Sequence, residues 1–389
     1  MPAPEIAPGS PTRHVPGVLV VGAGYAGLHA ARGARSRGGE VTVLDAELAH
    51  DFTCRLAAVA GGTEPSHRAA RPLDEFVSSP LMGRAVEIGD GWVELDDGQR
   101  LEAGAVVATV GATPSKPDIE GIEHLTPLRT ALDASTIRRS LPTAQRLLIV
   151  GGGPTGVQLA GSAASRHSDL EVHLFDVADR LLPSMEADLG TNAARILTNR
   201  GVALHLGCQL DRAEQGAMSF DDGSRWEGIC VWAAGFEAAS DLLTSAPRLE
   251  GRVEVDEVLR VKGWERTFAA GDLVAHIGPD GDVLAMAAQI AVKAGKLAGA
   301  NAARLLAGKQ LQPADLDTMG WVLDLGGHQG LASIGGVHLA GPLLDRIPPL
   351  LHHYVDAQHV VQTAGPGMLI GDALKLGWRR AARLWPGVD

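Results

Sequence analysis

The sequence contains few of the residues that build disulfide or metal-stabilised scaffolds. Its 389 residues include only three cysteines, Cys54, Cys208 and Cys230, with no Cys-x-x-Cys pair and no histidine cluster at metal-ligand spacing. The sequence therefore predicts neither a disulfide framework nor a zinc site. This cysteine usage is typical of a protein in a reducing cytoplasm.

Positive charge is also scarce. Lys and Arg together number 34, against 46 Asp and Glu, which leaves a formal net charge of -12. Because nucleic-acid binding needs a basic surface that neutralises phosphate, no nucleic-acid partner is expected.

Apolar runs long enough to span a membrane are missing as well. The uncharged stretches 14–31, 147–165 and 325–344 are each interrupted by glycine and proline, so no transmembrane helix is predicted. Residues 1–16 contain five prolines and no continuous apolar run. They are predicted to form a disordered lead and not a signal peptide.

Glycine, by contrast, is abundant, and its placement carries the main signal. An apolar run that starts at position 18 is followed by a Gly-x-Gly-x-x-Gly turn, a helical stretch and a second apolar run ending in aspartate. In a dinucleotide-binding unit the three glycines permit the tight turn, the approach of the pyrophosphate and close helix packing, and the aspartate binds ribose. The first site is predicted at Gly22, Gly24, Tyr25, Ala26, Gly27 and Asp45.

The same unit recurs in the second third of the chain. An apolar run from position 147 leads into a second Gly-x-Gly-x-x-Gly turn, and an aspartate follows 25 residues after its first glycine. The start of the following helix offers free N–H groups to phosphate. The second site is predicted at Gly151, Gly153, Pro154, Thr155, Gly156 and Asp176.

Two further features repeat in the same order. The segments 93–101 and 218–226 resemble hairpins with Asp-Gly turns, which lie 76 and 72 residues after the first glycine of their own unit. Each precedes an apolar strand that ends near a glycine, Gly111 or Gly235. Four features recurring at nearly constant intervals predict two dinucleotide-binding domains.

Two nucleotide sites on one chain suggest hydride transfer between a nicotinamide and a flavin. The segment 267–275 adds a short strand ending at Gly271 and Asp272. Together with the two glycine turns, this segment resembles the second FAD fingerprint of the two-dinucleotide-domain flavoproteins, the pyridine nucleotide-disulfide oxidoreductase superfamily. The resemblance implies that Asp272 binds the ribityl chain of FAD.

Within that superfamily the chain is most similar to type II NADH dehydrogenases and to flavoproteins like apoptosis-inducing factor. The segments 231–238, 268–272 and 287–295 carry this similarity. The last matches the AQxAxQxG quinone-site motif of type II NADH dehydrogenases at Ala288, Gln289, Ala291 and Gly295, with Lys293 in place of a glutamine. The resemblance implies that Ala288 binds cofactor and that Gln289 and Lys293 form the catalytic site at the flavin edge or quinone.

Three residues narrow the chemistry that the resemblance implies. Gln158 stands where the superfamily usually has glutamate, so a carboxylate near the nicotinamide is absent. Cys54 has no nearby cysteine, which excludes a redox disulfide and favours a buried apolar role. Asp176 would repel the 2′-phosphate of NADPH, so NADH is the expected nicotinamide.

The fold expected from these motifs is α/β, with two Rossmann-like domains and a small C-terminal region. An FAD-binding domain at 17–113 and 246–312 is interrupted by an NAD(H)-binding domain at 114–245. The flavin-facing helix is expected to start near Ala285. Residues 313–389 are expected to form a short meander and an amphipathic helix.

That predicted C-terminal helix has an apolar stripe, which includes Trp378 and Trp385, and a basic face, which includes Arg379 and Arg383. Such a helix is typical of binding at an anionic membrane surface, and also of packing on the protein with a solvated basic face. Both interpretations stay open, and a homodimer is also allowed. The expected location is the cytoplasm, including the inner face of the cell membrane.

The activity expected from the resemblance is FAD-dependent oxidation of NADH, with electrons passed to a quinone-like acceptor. The alternatives are an NADH-dependent reductase of the ferredoxin type and a flavin-bound regulatory protein with slow turnover.

Overall fold

The structure is a computed structural model that describes residues 12–318, 320–335, 337–339, 347, 348, 359, 362 and 363. No helix within these ranges has the length and apolar character needed to cross a membrane. The helix predicted for residues 372–385 lies outside the described residues.

The first third of the chain forms strands on either side of a single long helix. Its elements are β1 (Thr12–Val21), α1 (Tyr25–Arg35), β2 (Val41–Asp45), β3 (Ala49–Asp51), α2 (Leu56–Gly61), β4 (Ala70–Pro72), β5 (Leu81–Met82), β6 (Ala85–Gly89), β7 (Trp92–Leu95), β8 (Arg100–Ala108) and β9 (Ala112–Pro114).

The middle third repeats this arrangement with more helix. It contains β10 (Thr126–Pro127), α3 (Ala131–Ser140), β11 (Arg146–Val150), α4 (Pro154–Arg166), β12 (Glu171–Asp176), α5 (Ala187–Asn199), β13 (Ala203–Leu206), β14 (Leu210–Glu214), β15 (Ala217–Phe220), β16 (Arg225–Glu227), β17 (Ile229–Trp232) and β18 (Phe236–Ala238).

The last third adds one long helix and a small sheet. Its elements are β19 (Arg248–Leu249), β20 (Arg252–Val253), β21 (Thr267–Ala269), α6 (Ala288–Leu306), β22 (Gly320–Asp324), β23 (Gly330–Ile334) and β24 (Val337–Leu339). The strands β22 to β24 form an antiparallel meander, as the sequence predicted for this region.

Two sheets form the framework: the first is mixed, because β7 pairs antiparallel with β6 and β8, and the second is parallel. The first has the order β5-β2-β1-β8-β7-β6, and β21 pairs in parallel with the end of β8. The second has the order β10-β17-β11-β12-β13. The strand β21 comes after the second sheet in the sequence but pairs within the first sheet. The first sheet is therefore built from segments that precede and follow the second sheet in the chain. The predicted α/β fold with two Rossmann-like domains is confirmed.

The central strands of the two sheets, β1 and β11, are buried where apolar β-branched and leucine side chains dominate them. Residues 18–21 of β1 and 147–150 of β11 are all buried. In the first domain α1 packs against α6, and in the second α4 and α5 cover one face while β14 to β16 cover the other.

The first strand begins earlier than the sequence analysis expected. Residues 12–16, assigned there to the disordered lead, belong to β1, where Thr12–Val15 pair with residues 100–103 of β8. The ladder is irregular between Val15 and Val18, so Pro16, which has no N–H, and Gly17, with φ of +71°, lie at the irregularity. Pro16 is therefore accommodated without breaking the sheet.

Close contact between α1 and α6 depends on small residues. A Cβ on Gly295 would lie 2.2 Å from the carbonyl oxygen of Ala26, and one on Gly299 would lie 1.9 Å from that of Ala30. The helix α6 begins at Ala288, three residues later than expected. Gly295, about two turns into α6, therefore lies against the first turn of α1.

Candidate functional site

The first glycine turn joins β1 to α1. Gly22 has φ of +94°, and a Cβ there would lie 2.6 Å from the carbonyl oxygen of Thr109. A Cβ on Gly27 would lie 1.7 Å from the carbonyl oxygen of Gly22, so only glycine lets α1 lie this close to the turn. No heavy atom of the described chain lies within 4 Å of the Cβ position of Gly24. That open space fits a pyrophosphate.

The second turn, between β11 and α4, is built in the same way. Gly151 has φ of +119°, and its Cβ position lies 2.5 Å from the carbonyl group of Ala233. A Cβ on Gly156 would lie 1.9 Å from the carbonyl oxygen of Gly151. Gly153, like Gly24, has no described heavy atom within 4 Å of its Cβ position. The sequence duplication is therefore also a duplication of geometry.

Neither helix start is capped by a side chain. Gly24 and Gly153 occupy the N-cap positions of α1 and α4. The first turns therefore keep backbone N–H groups available for phosphate, from Tyr25 and Ala26 in α1 and from Thr155 in α4. Pro154 is the first residue of α4, where its missing N–H costs no hydrogen bond.

Asp45, at the end of β2, braces the first turn. Its Oδ2 accepts a hydrogen bond of 2.5 Å from the N–H of Ala23, and its Oδ1 accepts one of 2.8 Å from the N–H of Glu47. Burial raises the pKa of this carboxyl group, while the donated N–H groups oppose the increase.

Asp176, at the end of β12, makes the equivalent contacts. Its Oδ2 accepts from the N–H of Gly152, and its Oδ1 accepts a 2.7 Å hydrogen bond from the N–H of Ala178. Each aspartate therefore holds the central N–H of its own glycine turn and carries negative charge beside it.

The Gly-Asp pair after β21 lies next to the first turn. Gly271 has φ of +81°, and its Cβ position is 2.9 Å from the Cβ of Ala26. The Asp272 side chain is partly buried and accepts no hydrogen bond from the described part of the chain. Burial raises the pKa of this carboxyl group, and the cations Arg129 and Arg252 act against that shift. A partly buried carboxylate with unused acceptors fits a ligand that supplies hydroxyl groups.

Arg129 is a site residue that the sequence analysis missed. Its Nε donates 3.1 Å to the carbonyl oxygen of Ala112, and its Nη2 lies 3.6 Å from the Cβ position of Gly111. Burial raises the pKa values of both Asp51 and Asp272, and the positive charge of Arg129 opposes that increase. No spacing in the sequence distinguishes this arginine, because the fold alone brings it to the first turn.

Two linker segments, which follow β8 and β17, connect the two sites. Gly111, with φ of +70°, follows β8, and Gly235, with φ of +102°, follows β17. The next strands, β9 and β18, pair antiparallel, and the N–H of Ala239 donates 3.0 Å to the carbonyl oxygen of Gly111. The strand ends that flank the two glycine turns are therefore tied together.

A family profile described as "Pyridine nucleotide-disulphide oxidoreductase" matches residues 16–295, which include both glycine turns and the Gly-Asp pair. The chain belongs to this family.

Curated members of similar sequence carry one activity in their names. The type II NADH:quinone oxidoreductase of Staphylococcus aureus (strain NCTC 8325) is 24% identical over 401 residues, covering 90% of this chain and 96% of that protein. The type II NADH:quinone oxidoreductase of Mycobacterium tuberculosis is 27% identical over 396 residues, covering 88% and 84%.

Solved structures show the same fold. NDH2 from Plasmodium falciparum in complex with NADH has a TM-score of 0.77 and 14% identity, covering 93% of this chain and 98% of that one. A putidaredoxin reductase, solved in a covalent complex with putidaredoxin, has a TM-score of 0.70 and 24% identity, covering 82% and 81%.

Gln289 and Lys293, the two residues predicted to be catalytic in this chain, lie one turn apart on α6. Gln289 donates 2.8 Å from Nε2 to the carbonyl oxygen of Gly320, and Lys293 donates 2.9 Å from Nζ to that of Asp317. Both side chains therefore contact the segment that leads into β22. Ala288, beside them, is the first residue of the helix, and Ala287 provides no side-chain cap.

The disulphide chemistry in the family's name has no counterpart among the described residues. Cys54, Cys208 and Cys230 form no disulfide bond, and no group of three or more potential ligands in the described ranges is arranged to hold a metal ion. Cys54 packs against the apolar core of the first domain, although it is half-buried and not fully buried as predicted. Gln158 lies within α4.

Proposed function

We propose that this protein is an FAD-dependent NADH:quinone oxidoreductase, with FAD at the first glycine turn and NADH at the second. The observation that carries the proposal is that two turns of the same construction lie at strand ends joined by the pairing of β9 with β18. The names of the relatives from Staphylococcus aureus and Mycobacterium tuberculosis, which match most of the chain, support the same activity.

The residues of the first site fit FAD. The open space at Gly24 and the N–H groups of the first turn of α1 accommodate a pyrophosphate, and Asp45 offers carboxylate oxygens to ribose. Asp272 offers unused acceptors to the ribityl chain. FAD, when bound, supplies a ring that accepts a hydride and releases electrons in a separate step. The protein contributes binding, orientation and charge.

The second site fits NADH through equivalent residues. Gly153 and the first turn of α4 accommodate the pyrophosphate, and Asp176 accepts from ribose hydroxyl groups. A 2′-phosphate would lie close to the carboxylate of Asp176, whose charge would repel it.

The acceptor is proposed to bind at the start of α6. The uncapped first turn of this helix, at Ala288, stabilises negative charge at the flavin edge through its free N–H groups. Gln289 and Lys293 are proposed to contact the quinone, with their present backbone partners holding both side chains on one side of α6.

The flavin assignment is tested with Asp272→Ala. This variant is expected to lose FAD, because it removes the acceptors proposed for the ribityl chain. Asp241→Ala, which removes a carboxylate that is 95% exposed, is the matched control and should retain FAD. The ratio of flavin to protein absorbance measures occupancy. Full FAD occupancy in Asp272→Ala would contradict the assignment.

The acceptor assignment is tested by comparing quinone with ferricyanide, a small soluble acceptor. Gln289→Ala and Lys293→Ala should each lower the rate with a short-chain quinone about tenfold or more while ferricyanide reduction by NADH changes little. Equal losses with both acceptors would instead indicate a structural role for these residues. Faster turnover with a ferredoxin than with quinone would support the ferredoxin-type alternative.

We also propose that the protein is a homodimer located in the cytoplasm. It is proposed to bind the inner face of the cell membrane through the helix predicted for residues 372–385. The full chain should sediment with anionic vesicles at low salt and less at high salt. Combined replacement of Arg379, Arg380 and Arg383 by glutamate should abolish this binding without loss of FAD. Identical sedimentation of both proteins would favour packing of that helix on the body. Light scattering measures the oligomeric state.

A further inference from the structure

Three buried histidines from distant parts of the chain form a hydrogen-bonded row beneath the first glycine turn. His29 of α1, His50 of β3 and His359 are 0%, 1% and 5% exposed. His359 lies between the other two, with its Nδ1 3.1 Å from Nε2 of His29 and its Nε2 3.1 Å from Nε2 of His50. The row ends at the turn, where Nδ1 of His50 lies 2.9 Å from the carbonyl oxygen of Ala23.

The carbonyl group of Ala23 fixes the direction of every hydrogen bond in the row. Because a carbonyl oxygen only accepts, Nδ1 of His50 carries hydrogen, and in the neutral ring its Nε2 is an acceptor. Nε2 of His359 must then donate to it, which leaves Nδ1 of His359 to accept from Nε2 of His29. Nδ1 of His29 is then a bare acceptor, and it finds no partner in the described structure.

The surroundings keep all three rings neutral. The charged groups facing the row are the cations Arg32 of α1, Arg55 before α2 and Lys296 of α6. Burial first, and then these cations and the neighbouring imidazoles, lower the pKa of His29 and His50 to about 4 and that of His359 to about 2. The Tyr25 ring packs on His359 with 4.3 Å between centroids.

The second glycine turn has a backbone donor at the place where the first turn has His50. There the carbonyl oxygen of Gly152 accepts a 2.9 Å hydrogen bond from the backbone N–H of Leu182. In the first turn the corresponding carbonyl oxygen, that of Ala23, accepts from a histidine side chain instead. The carbonyl side of the second turn is thus held by a backbone N–H group, whereas that of the first turn depends on a titratable side chain and, through it, on His359.

Two described residues close to His359 in the chain make further contacts beside the row. Nη1 of Arg32 donates 3.2 Å to Oε1 of Gln362, and the Thr363 hydroxyl donates 2.7 Å to the carbonyl oxygen of His359. Tyr25, His29 and Arg32 follow one another at helical spacing, so a single face of α1 carries all these contacts. The same helix supplies the N–H groups of the first turn.

We propose that His50 is a positioning residue for the flavin site, and that His359 makes FAD retention depend on docking of the C-terminal region. The proposal rests on the assignment of FAD to the first turn. His50 holds the peptide group of Ala23 from its carbonyl side while Asp45 holds it from its N–H side, so the row sets the orientation of the backbone that meets the pyrophosphate.

Four single variants of the full chain test this. His50→Ala removes the donor to Ala23, and His50→Asn keeps an N–H donor near the position of Nδ1. His359→Phe keeps an aromatic ring against Tyr25 and loses both hydrogen bonds. His205→Ala is the matched control, because His173 and His205 form an imidazole hydrogen bond of the same 3.1 Å length that reaches no glycine turn.

The readout is the dissociation constant for FAD, measured by adding FAD to each protein after the flavin is removed. His50→Ala should weaken FAD binding about tenfold or more. His50→Asn still donates to Ala23 but loses the bond to His359, so it should weaken FAD binding only severalfold, as should His359→Phe. His205→Ala should stay close to the wild type. Far-ultraviolet circular dichroism at the same temperature shows that each variant is folded, and NADH binding checks the second site.

The outcomes separate the two proposals. A wild type that binds no FAD would overturn the proposed function itself. A wild type that binds FAD, together with a folded His50→Ala of unchanged affinity, would overturn the positioning role. Unchanged affinity in His359→Phe would overturn the coupling to the C-terminal region, and an equal loss in His205→Ala would reduce the effect to general destabilisation.

Discussion

At the scale of single residues, Asp176 has two roles that one substitution can separate. It carries the charge that should select NADH, and it accepts the N–H of Gly152 in the turn. Asp176→Ser should therefore weaken the binding of both NADH and NADPH, because the serine side chain is shorter and holds the N–H of Gly152 less well. Adding Val177→Arg should shift the ratio of kcat/KM values toward NADPH by about tenfold or more, because it supplies positive charge. Val177 is 69% exposed, so an arginine fits there.

Asp176→Asn is the control for charge alone, because its amide oxygen still accepts one N–H group. Steady-state kinetics with NADH and NADPH measure the preference. A wild type that reacts faster with NADPH at equal concentration would refute the role of Asp176.

The buried histidines make stability depend on acid. The pKa values of His29 and His50 are lowered to about 4, whereas those of the unfolded chain stay near 6.5. The unfolded state therefore binds more protons below pH 6.5, and stability falls as the pH drops from 6.5 toward 4. At pH 4, each of these two residues should have lowered the free energy of unfolding by about 3 kcal/mol.

Urea unfolding at several pH values measures this dependence. His50→Asn should show a shallower loss of stability between pH 6.5 and 5, since it removes one proton-binding group. Parallel curves for the two proteins would exclude His50 as a source of the dependence.

At the scale of secondary structure elements, the contact between α1 and α6 should not tolerate one added methyl group. Gly→Ala commonly stabilises a helix, but a Cβ on Gly295 would lie 2.2 Å from the backbone oxygen of Ala26. Gly295→Ala should therefore destabilise the protein by about 2 kcal/mol and lower FAD occupancy, because α1 moves.

Lys296→Ala, an exposed neighbour on α6, is the control and should change the free energy of unfolding little. Chemical denaturation with both variants measures the difference. A stabilised Gly295→Ala would show that the helices separate at no cost.

The elements also show what could be predicted from sequence and what could not. The glycine turns and the aspartates at the ends of β2 and β12 were identified because a local backbone requirement restricts the residue type at fixed spacing. Arg129 and the histidine row were missed because distant contacts leave no periodic signal. His29 and His359, for example, are 330 positions apart. The early start of β1 was missed because the prolines were taken to exclude a strand.

At the scale of the whole molecule, one arginine joins the C-terminal meander to the second domain. Nη1 of Arg200 donates 3.1 Å to the carbonyl oxygen of Gly161, and Nη2 donates 2.7 Å to that of Gly326 and 2.8 Å to Oε1 of Gln329. Arg200→Lys should lower the free energy of unfolding by about 2 kcal/mol, because an ammonium group cannot reach these acceptors together.

Arg225→Lys is the matched control, because Arg225 forms ion pairs at a side chain that is 50% exposed. Its stability should stay close to that of the wild type, because exposed ion pairs contribute little. Thermal unfolding of both variants, with NADH affinity measured alongside, tests the expectation. Equal melting temperatures would show that Arg200 does not hold the meander in place.

The pairing of β9 with β18 also bears on how the two domains move. A pair of flexible linkers would let the nucleotide-binding halves swing as a hinge on the microsecond-to-millisecond scale. Here the linkers form a short antiparallel ladder, locked at its end by the bond from Ala239 to Gly111, so rotation about either one requires backbone hydrogen bonds to break. This pairing favours a fixed arrangement of the two halves, so we expect electron transfer in this protein to proceed without domain closure as a gating step.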